Sequence, residues 1–277
     1  MASSMPVSPV LAGKKRTKLL PFRLWLGKKV FGYIGMGVGV RIGPTRMIKW
    51  RCEQPEVEGH LYAAQNTTIP VPKVYRIYHL HGKLAIEMEY LRGCEELGVE
   101  WRSLSAHQKQ ALVNDIGAYI KQLRALRPPV GFERRISSTN GGPFRDTRLG
   151  TNRLFGPFNT SAEFHDCVRL GMAENAFGPK VMQVHSREYE CRFTHGDLGA
   201  QNILIRNGKF VAIIDWENAG WFPEYYEYTK ARYNSVLLPE FYEMLAEVTE
   251  CYDEEWRAER DLWRDFDQPY DKVLVDR

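Results

Sequence analysis

A chain of 277 residues, 44% apolar and 26% charged, can bury the core of one large or two modest lobes, which excludes a disordered or fibrous polymer. It holds no run of about 18 apolar residues, so no membrane-spanning helix is predicted. Its five cysteines (Cys52, Cys94, Cys167, Cys191, Cys251) are odd in number and lack a C-x-x-C pair, which argues against a disulfide framework or a zinc site and predicts reduced thiols in a cytoplasmic protein.

The net charge of +4 hides an asymmetry. Of 38 Lys and Arg, eleven fall in residues 1–52, which hold no acid; the remaining 27 stand against 34 Asp and Glu. Residues 1–20 are Ser-bearing and basic, and Pro6, Pro9 and Pro21 interrupt any long amphipathic helix there. A flexible arm leading into a helix is predicted, with mitochondrial targeting as the other reading. No nucleic-acid fold motif accompanies these cations, so no nucleic-acid partner is expected.

Residues 30–50 mix Gly with apolar residues and read as one or two hairpins, with Gly35, Gly37 and Gly39 as candidates for a turn over phosphates. Residues 56–66 predict a short helix that ends before Thr-Thr-Ile-Pro-Val-Pro. KVYRIYHL and KLAIEMEY, joined by His81-Gly82, predict a β-hairpin. Residues 105–126 predict a helix, with Ser105 and Gln108 as a capping box and Leu112, Val113, Ile116, Ile120 and Leu123 at helical spacing. A Gly-rich excursion over 131–158 precedes a second helix near Thr160, where Glu163 would complete another capping box. ILIRNGKFVAIID predicts a hairpin turning at Asn207-Gly208. The chain reads as helical after residue 223. The expected class is α+β: a small antiparallel β-sheet lobe with one helix over 21–92, then a mainly helical lobe over 93–277.

The stretch FTHGDLGAQNILI puts Asp197 five residues before Asn202, at the start of that hairpin, while Asp215 sits at its far end. A tight hairpin brings its ends together, so Asn202 and Asp215 fall within reach of one cation. An amide oxygen and a carboxylate are hard ligands that suit Mg²⁺. Asp197 would stand beside the metal as a proton acceptor, the arrangement phosphoryl transfer needs. The plain alternative is a polar loop with Asn202 and Asp215 as turn residues.

The segment FTHGDLGAQNILIRNGKFVAIIDWENAGWFPEYYEY resembles the core of the aminoglycoside phosphotransferase / choline kinase-like family, its fungal members especially. The resemblance implies a bilobal protein-kinase-like fold with ATP and Mg²⁺ as cofactors. It implies Asp197 as catalytic base, Asn202 and Asp215 as metal ligands, and His195 as a structural loop residue. Lys49, ending an apolar strand, matches the lysine that meets the α- and β-phosphates. Glu58, twelve residues before Pro70, matches its helix acid, with Glu56 as runner-up. Met88-Glu89-Tyr90-Leu91-x-Gly93 resembles the lobe connector, where the backbone of Glu89 and Leu91 would meet adenine. Glu227 stands where the bacterial antibiotic kinases carry an Asp that braces the catalytic loop.

Gly196 replaces the Arg by which protein kinases read a phosphorylated activation loop, and Trp216-Glu217 replaces Phe-Gly after the metal aspartate. Only 62 residues follow Asp215, and no A-P-E anchor is visible. A hydroxyl of a small molecule is therefore the expected acceptor, and a monomer the expected state. Residues 240–267 hold eleven acids against three arginines and could face a cationic acceptor or form a solvated face. Trp221, Phe222, Tyr225, Tyr226 and Tyr228 could cage an ammonium group or form core. The alternative function is a catalytically silent nucleotide-binding module with the same fold.

Overall fold

The computed structural model describes residues 14–35, 37–80, 82–149 and 153–265. The first thirteen residues of the expected arm, His81 of the hairpin turn and the end of the acidic region lie outside them.

Helix α1 (Lys14–Phe31) runs through Pro21, in place of the expected arm to residue 20. Proline removes one backbone donor, but packing holds the helix: Leu20 is fully buried and, with Leu24, meets Ile48, Tyr78 and Ala85. Arg23 adds a two-pronged bond to Glu87, both contacts at 3.0 Å.

Strands β1 (Tyr33–Ile34), β2 (Gly39–Gly43) and β3 (Arg46–Cys52) lead into helix α2 (Gln54–Asn66), then the predicted hairpin β4 (Val74–Leu80) and β5 (Lys83–Glu89). They form one antiparallel sheet in the order β1-β2-β3-β5-β4. Gly35 and Gly37 occupy the β1–β2 turn, and Gly39 lies opposite Lys49 in the ladder. The alternation of strand side chains sorts the sheet into two faces. Ile48, Tyr78 and Ala85 meet α1, while Ile77, Leu84, Ile86 and Met88 pack with Val57 of α2.

The chain leaves this sheet at Glu89. Strand β6 (Glu95–Glu96) and helices α3 (Leu97–Glu100) and α4 (Ala106–Ala125) follow, α4 with both halves of its predicted capping box at Ser105 and Gln108. Within the excursion, β7 (Ser137–Ser138) is the strand; helices α5 (Ser161–Val168) and α6 (Pro179–His185) come next. Only half of the second predicted box forms. The Thr160 hydroxyl accepts from the Glu163 amide, but the Glu163 carboxylate reaches back to Asn159.

Strand β8 (Cys191–Thr194) enters the polar loop, and β9 (Ile203–Arg206) and β10 (Lys209–Ile213) make the hairpin around Asn207-Gly208. Strand β11 (Gly220–Pro223) lies between β7 and β8, and β9 lies between β10 and β6. Helices α7 (Tyr226–Ala231), α8 (Pro239–Val248) and α9 (Asp253–Asp265) complete the second lobe. The core of that lobe runs from Leu112, Val113 and Ile116 of α4 through Phe193 and Ile203 to Trp216, close beneath the polar loop.

Candidate active site

The hairpin closes as its sequence predicts. Ile203 pairs with Ile213, and the Ile214 amide donates to the Asn202 carbonyl at 2.9 Å. Asn202 and Asp215 thus sit at one end of the same ladder. The Asn202 amide group donates to the Asp197 carbonyl at 2.7 Å and to its carboxylate at 3.0 Å, which leaves its own oxygen to face elsewhere. Burial, with the Asp215 charge adding, pushes the Asp197 carboxyl up; Lys230, His195 and Asn202 oppose that. Asp215 adopts the left-handed conformation, φ 65°, an unusual backbone state for a non-glycine residue.

Two residues hold the loop around Asp197. The His195 Nδ1 accepts from the Asp197 amide at 3.2 Å, which leaves Nε2–H to donate to the Ile214 carbonyl at 2.9 Å. Its ring packs against Trp216, 4.7 Å between centroids. The buried Glu227 carboxylate accepts from the His195 amide at 2.5 Å and the Gly196 amide at 3.3 Å, so the longer acid still braces the loop. Gly196 has a steric reason that the sequence reading did not give. Its φ is 76°, and a Cβ there would lie 2.4 Å from the Asn218 carbonyl oxygen.

The sheet delivers Lys49. Its ammonium lies 2.6 Å from Glu56 and 2.9 Å from Asp215, bridging the two lobes. Burial pulls this ammonium down, but the Glu56 and Asp215 carboxylates outweigh it and hold Lys49 well above the usual lysine range. Glu56 corrects the first-choice assignment of Glu58. The helix begins at Gln54, two residues earlier than predicted, with Pro55 in its first turn. Glu56, Gly59, His60 and Ala63 then share the buried face, while Glu58 turns aside and accepts from Ser138 at 3.4 Å. The i, i+3, i+4, i+7 pattern of those four residues was the available signal.

Gly59 lets α2 touch the metal-side loop: a Cβ there would lie 2.6 Å from that of Ala219 and 2.9 Å from the Trp216 carbonyl oxygen. The Ile-Pro-Val-Pro connector adds a second tie. The Pro70 carbonyl accepts from the Ile213 amide at 3.0 Å, and His60 hydrogen-bonds the Pro72 carbonyl at 2.6 Å. At the lobe connector, the Glu89 amide donates to Lys73 and the Tyr90 amide to Thr45, both at 2.9 Å, and half-buried Leu91 follows.

Sequence reasoning missed Arg145 and Glu217. Arg145 lies 3.0 Å from Glu53, just ahead of α2, and 3.8 Å from Glu217, beside Asp215. It projects from an anchored post. The next residue, Asp146, is fully buried and held by Arg148 at 2.6 Å, by the Tyr226 hydroxyl at 2.8 Å and by Lys230 at 3.4 Å. Burial and then the Asp215 charge push the Glu217 carboxyl up to about 7, against Lys49 and Arg145. The irregular excursion that carries Arg145 has no periodicity from which its position could be read.

The donor set fits Mg²⁺. Among the described residues no group of three or more His, Cys, Asp or Glu side chains could form a metal centre by itself. A magnesium ion needs no such group: it takes one or two protein oxygens and completes its shell with phosphate and water. Asp215 and the amide oxygen of Asn202, left free by the donation of its amide group to Asp197, offer such a pair, and the carboxyl groups of Asp215, Glu217 and Glu56 outnumber the two cations beside them, Lys49 and Arg145.

Much of the two expected recognition features for a cation has other partners among the described residues. Glu240 binds Lys109 and the Trp101 indole, Glu250 binds Arg124, Glu254 and Glu255 bind Arg187, and Glu259 binds Arg148. Trp221, Phe222, Tyr225 and Tyr226 are buried as core, and Tyr228 bonds Asp253 at 2.5 Å.

A model of the phosphotransferase enzyme family matches residues 53–262, most of the chain. The chain belongs to that family. Its fold agrees with solved members. The streptomycin–ATP–APH(2")-IIa ternary complex is 13% identical, covers 96% of this chain and 94% of its own, and gives a TM-score of 0.59. The GDP complex of wild-type aminoglycoside 2'-phosphotransferase-IIIa is 12% identical over 89% of this chain and 86% of its own, with a TM-score of 0.54. A choline/ethanolamine kinase family protein from Mesorhizobium loti is 15% identical over 87% and 80%, with a TM-score of 0.51. At these identities the likeness establishes the kinase-like fold. A comparison with curated protein sequences gave no match.

Proposed function

We propose that this phosphotransferase moves the γ-phosphate of ATP to a hydroxyl of a small molecule. The observation that carries the reading is the bridge from Lys49 to Glu56 and Asp215, with Asp197 and Asn202 joined beside it. Lys49 would hold the α- and β-phosphates, oriented by Glu56. Asn202 and Asp215 would hold Mg²⁺, which supplies charge neutralisation across the phosphates. Asp197 would accept the acceptor's proton; its carboxylate is positioned by the Asn202 amide group, and its backbone by Glu227 and His195 through the loop. The backbone at Glu89 and Leu91 would meet the adenine. The kept lysine, metal pair and base support an active enzyme rather than a silent nucleotide-binding module.

The acceptor is a small hydroxylated compound, and a cationic one stays compatible with the site, since Glu243 and Glu247 of α8 are exposed beside the acids that bind the protein's own arginines and lysine. A soluble monomer working in the cytoplasm fits this reading, and no helix among the described residues is long and apolar enough to cross a membrane. The test is thermal unfolding with Mg²⁺-ATP, for the wild type beside Asp215→Ala, followed by ADP release across polyols and amino alcohols. Stabilisation that requires both magnesium and Asp215 supports the site, since a ligand of the folded state alone raises the melting temperature by mass action. Equal behaviour of the two proteins removes the metal assignment.

A further inference from the structure

Helix α1 has two apolar faces, and the fold uses one. Leu20 and Leu24 enter the sheet. Along the outer side Leu19, Phe22, Trp25, Leu26 and Val30 are 49%, 57%, 55%, 45% and 60% exposed. Their spacings of three and four residues place them in one stripe. A contiguous apolar stripe of this kind on a soluble domain marks an interaction surface.

The helix cannot roll to hide the stripe. Arg23 is clamped on buried Glu87, and a Cβ at Gly27 would lie 2.5 Å from the Arg41 carbonyl oxygen. The stripe also points away from the reaction centre, because α2 and Lys49 belong to the other face of the sheet.

Charge identifies the occupant. Residues 14–31 hold seven Lys and Arg and no acid. Lys18 and Lys29 are exposed beside the stripe, and Lys28 lies over the Tyr33 ring at its end. With Trp, Phe and Leu outward, lysines set among them and no acid in the helix, this face is complementary to a negatively charged lipid interface.

We propose that the outer face of α1 docks this enzyme on anionic lipid bilayers, with the helix parallel to the surface and the cleft left open to solvent. The seating is peripheral and reversible.

The test is co-sedimentation of the full chain with phosphatidylcholine vesicles, with and without phosphatidylserine. Binding should require phosphatidylserine and weaken with salt, since exposed charges are screened. Phe22→Ser with Trp25→Ser should reduce it by about tenfold or more, with the melting temperature unchanged because both side chains face outward. Lys18→Glu with Lys29→Glu should reduce it by a similar factor, as each cation near the surface is worth about fivefold.

Three results would overturn the proposal. The first is equal sedimentation with neutral and anionic vesicles, or none with either. The second is a dimer in light scattering that the Phe22→Ser/Trp25→Ser protein loses, which would assign the face to a second copy. The third is binding only after removal of residues 1–13, which would assign the face to that segment.

Discussion

The five-stranded sheet carries a charged cluster on each face, and the two are balanced in opposite ways. On the α1 face one carboxylate, Glu87, is shared by Arg23, Arg46 and Arg76 and accepts a 2.5 Å bond from Tyr78. Burial would raise this carboxyl, but the Arg23, Tyr78 and Arg46 hydrogen bonds outweigh it and bring it down to about 2. On the α2 face one ammonium, Lys49, serves Glu56 and Asp215, and Glu217 close by pairs among the described residues only with Arg145, at 3.8 Å. There burial and mutual repulsion win, and the Glu56 and Glu217 carboxyls move up. A cluster supplied with more cations than it needs is finished, and holds a helix to a sheet. A cluster short of cations is set to receive one. The same sheet thus has a structural face and a reactive face.

That contrast can be broken experimentally. The largest expected effect is at Asp197. Asp197→Ala should cut turnover by about a hundredfold to ten-thousandfold with the melting temperature near wild type, measured as ADP release. Undiminished turnover would remove the base.

Next is the finished cluster. Glu87→Ala leaves three arginines without their carboxylate and should cost about 3 kcal/mol in chemical denaturation, lessened by the partial exposure of Arg23 and Arg46. Glu87 also predicts a pH dependence. Its folded value of about 2 lies below the ordinary 4.5, so the unfolded chain binds the proton more readily. Its stabilising contribution is present above pH 4.5 and is lost as pH falls from there toward 2, by about 2 kcal/mol at most. Glu87→Gln should flatten that stretch of the acid limb.

A smaller effect separates the two helix acids. Glu56→Gln should reduce the Mg²⁺-ATP thermal shift by about half or more, while Glu58→Gln should leave it intact; the reverse result would restore Glu58. The smallest belongs to Arg145. Arg145→Ala removes a side chain that ties the start of α2 to Glu217, and should raise the KM for ATP severalfold, by about 1 kcal/mol of binding, with kcat less affected. An unchanged KM would leave Arg145 a surface bridge.

The part of the site inside regular structure was legible in the sequence. The Asn207-Gly208 turn, two apolar strands and a five-residue interval placed Asp197, Asn202 and Asp215 correctly, because a hairpin converts sequence spacing into distance. Lys49 came from the resemblance and not from spacing, and it lies inside β3 where the sequence reading ended the strand. Glu58 was misplaced because it was chosen by a spacing to Pro70 that the resemblance implies, and two residues on a helix rotate a side chain by more than half a turn, away from the face that Glu56, Gly59, His60 and Ala63 share. Arg145 was invisible because nothing in an irregular excursion says where it returns. Pro21 misled in the other direction: the local cost of proline is real, but Leu20 buried in the sheet and Arg23 on Glu87 outweigh it.

Gly59 fixes how closely the two lobes meet. With no side chain between α2 and the carbonyl of Trp216, nothing separates the helix that carries Glu56 from the loop that carries Asp215. Any side chain at position 59 would wedge that seam apart, and the span that Lys49 bridges between Glu56 and Asp215 would widen with it.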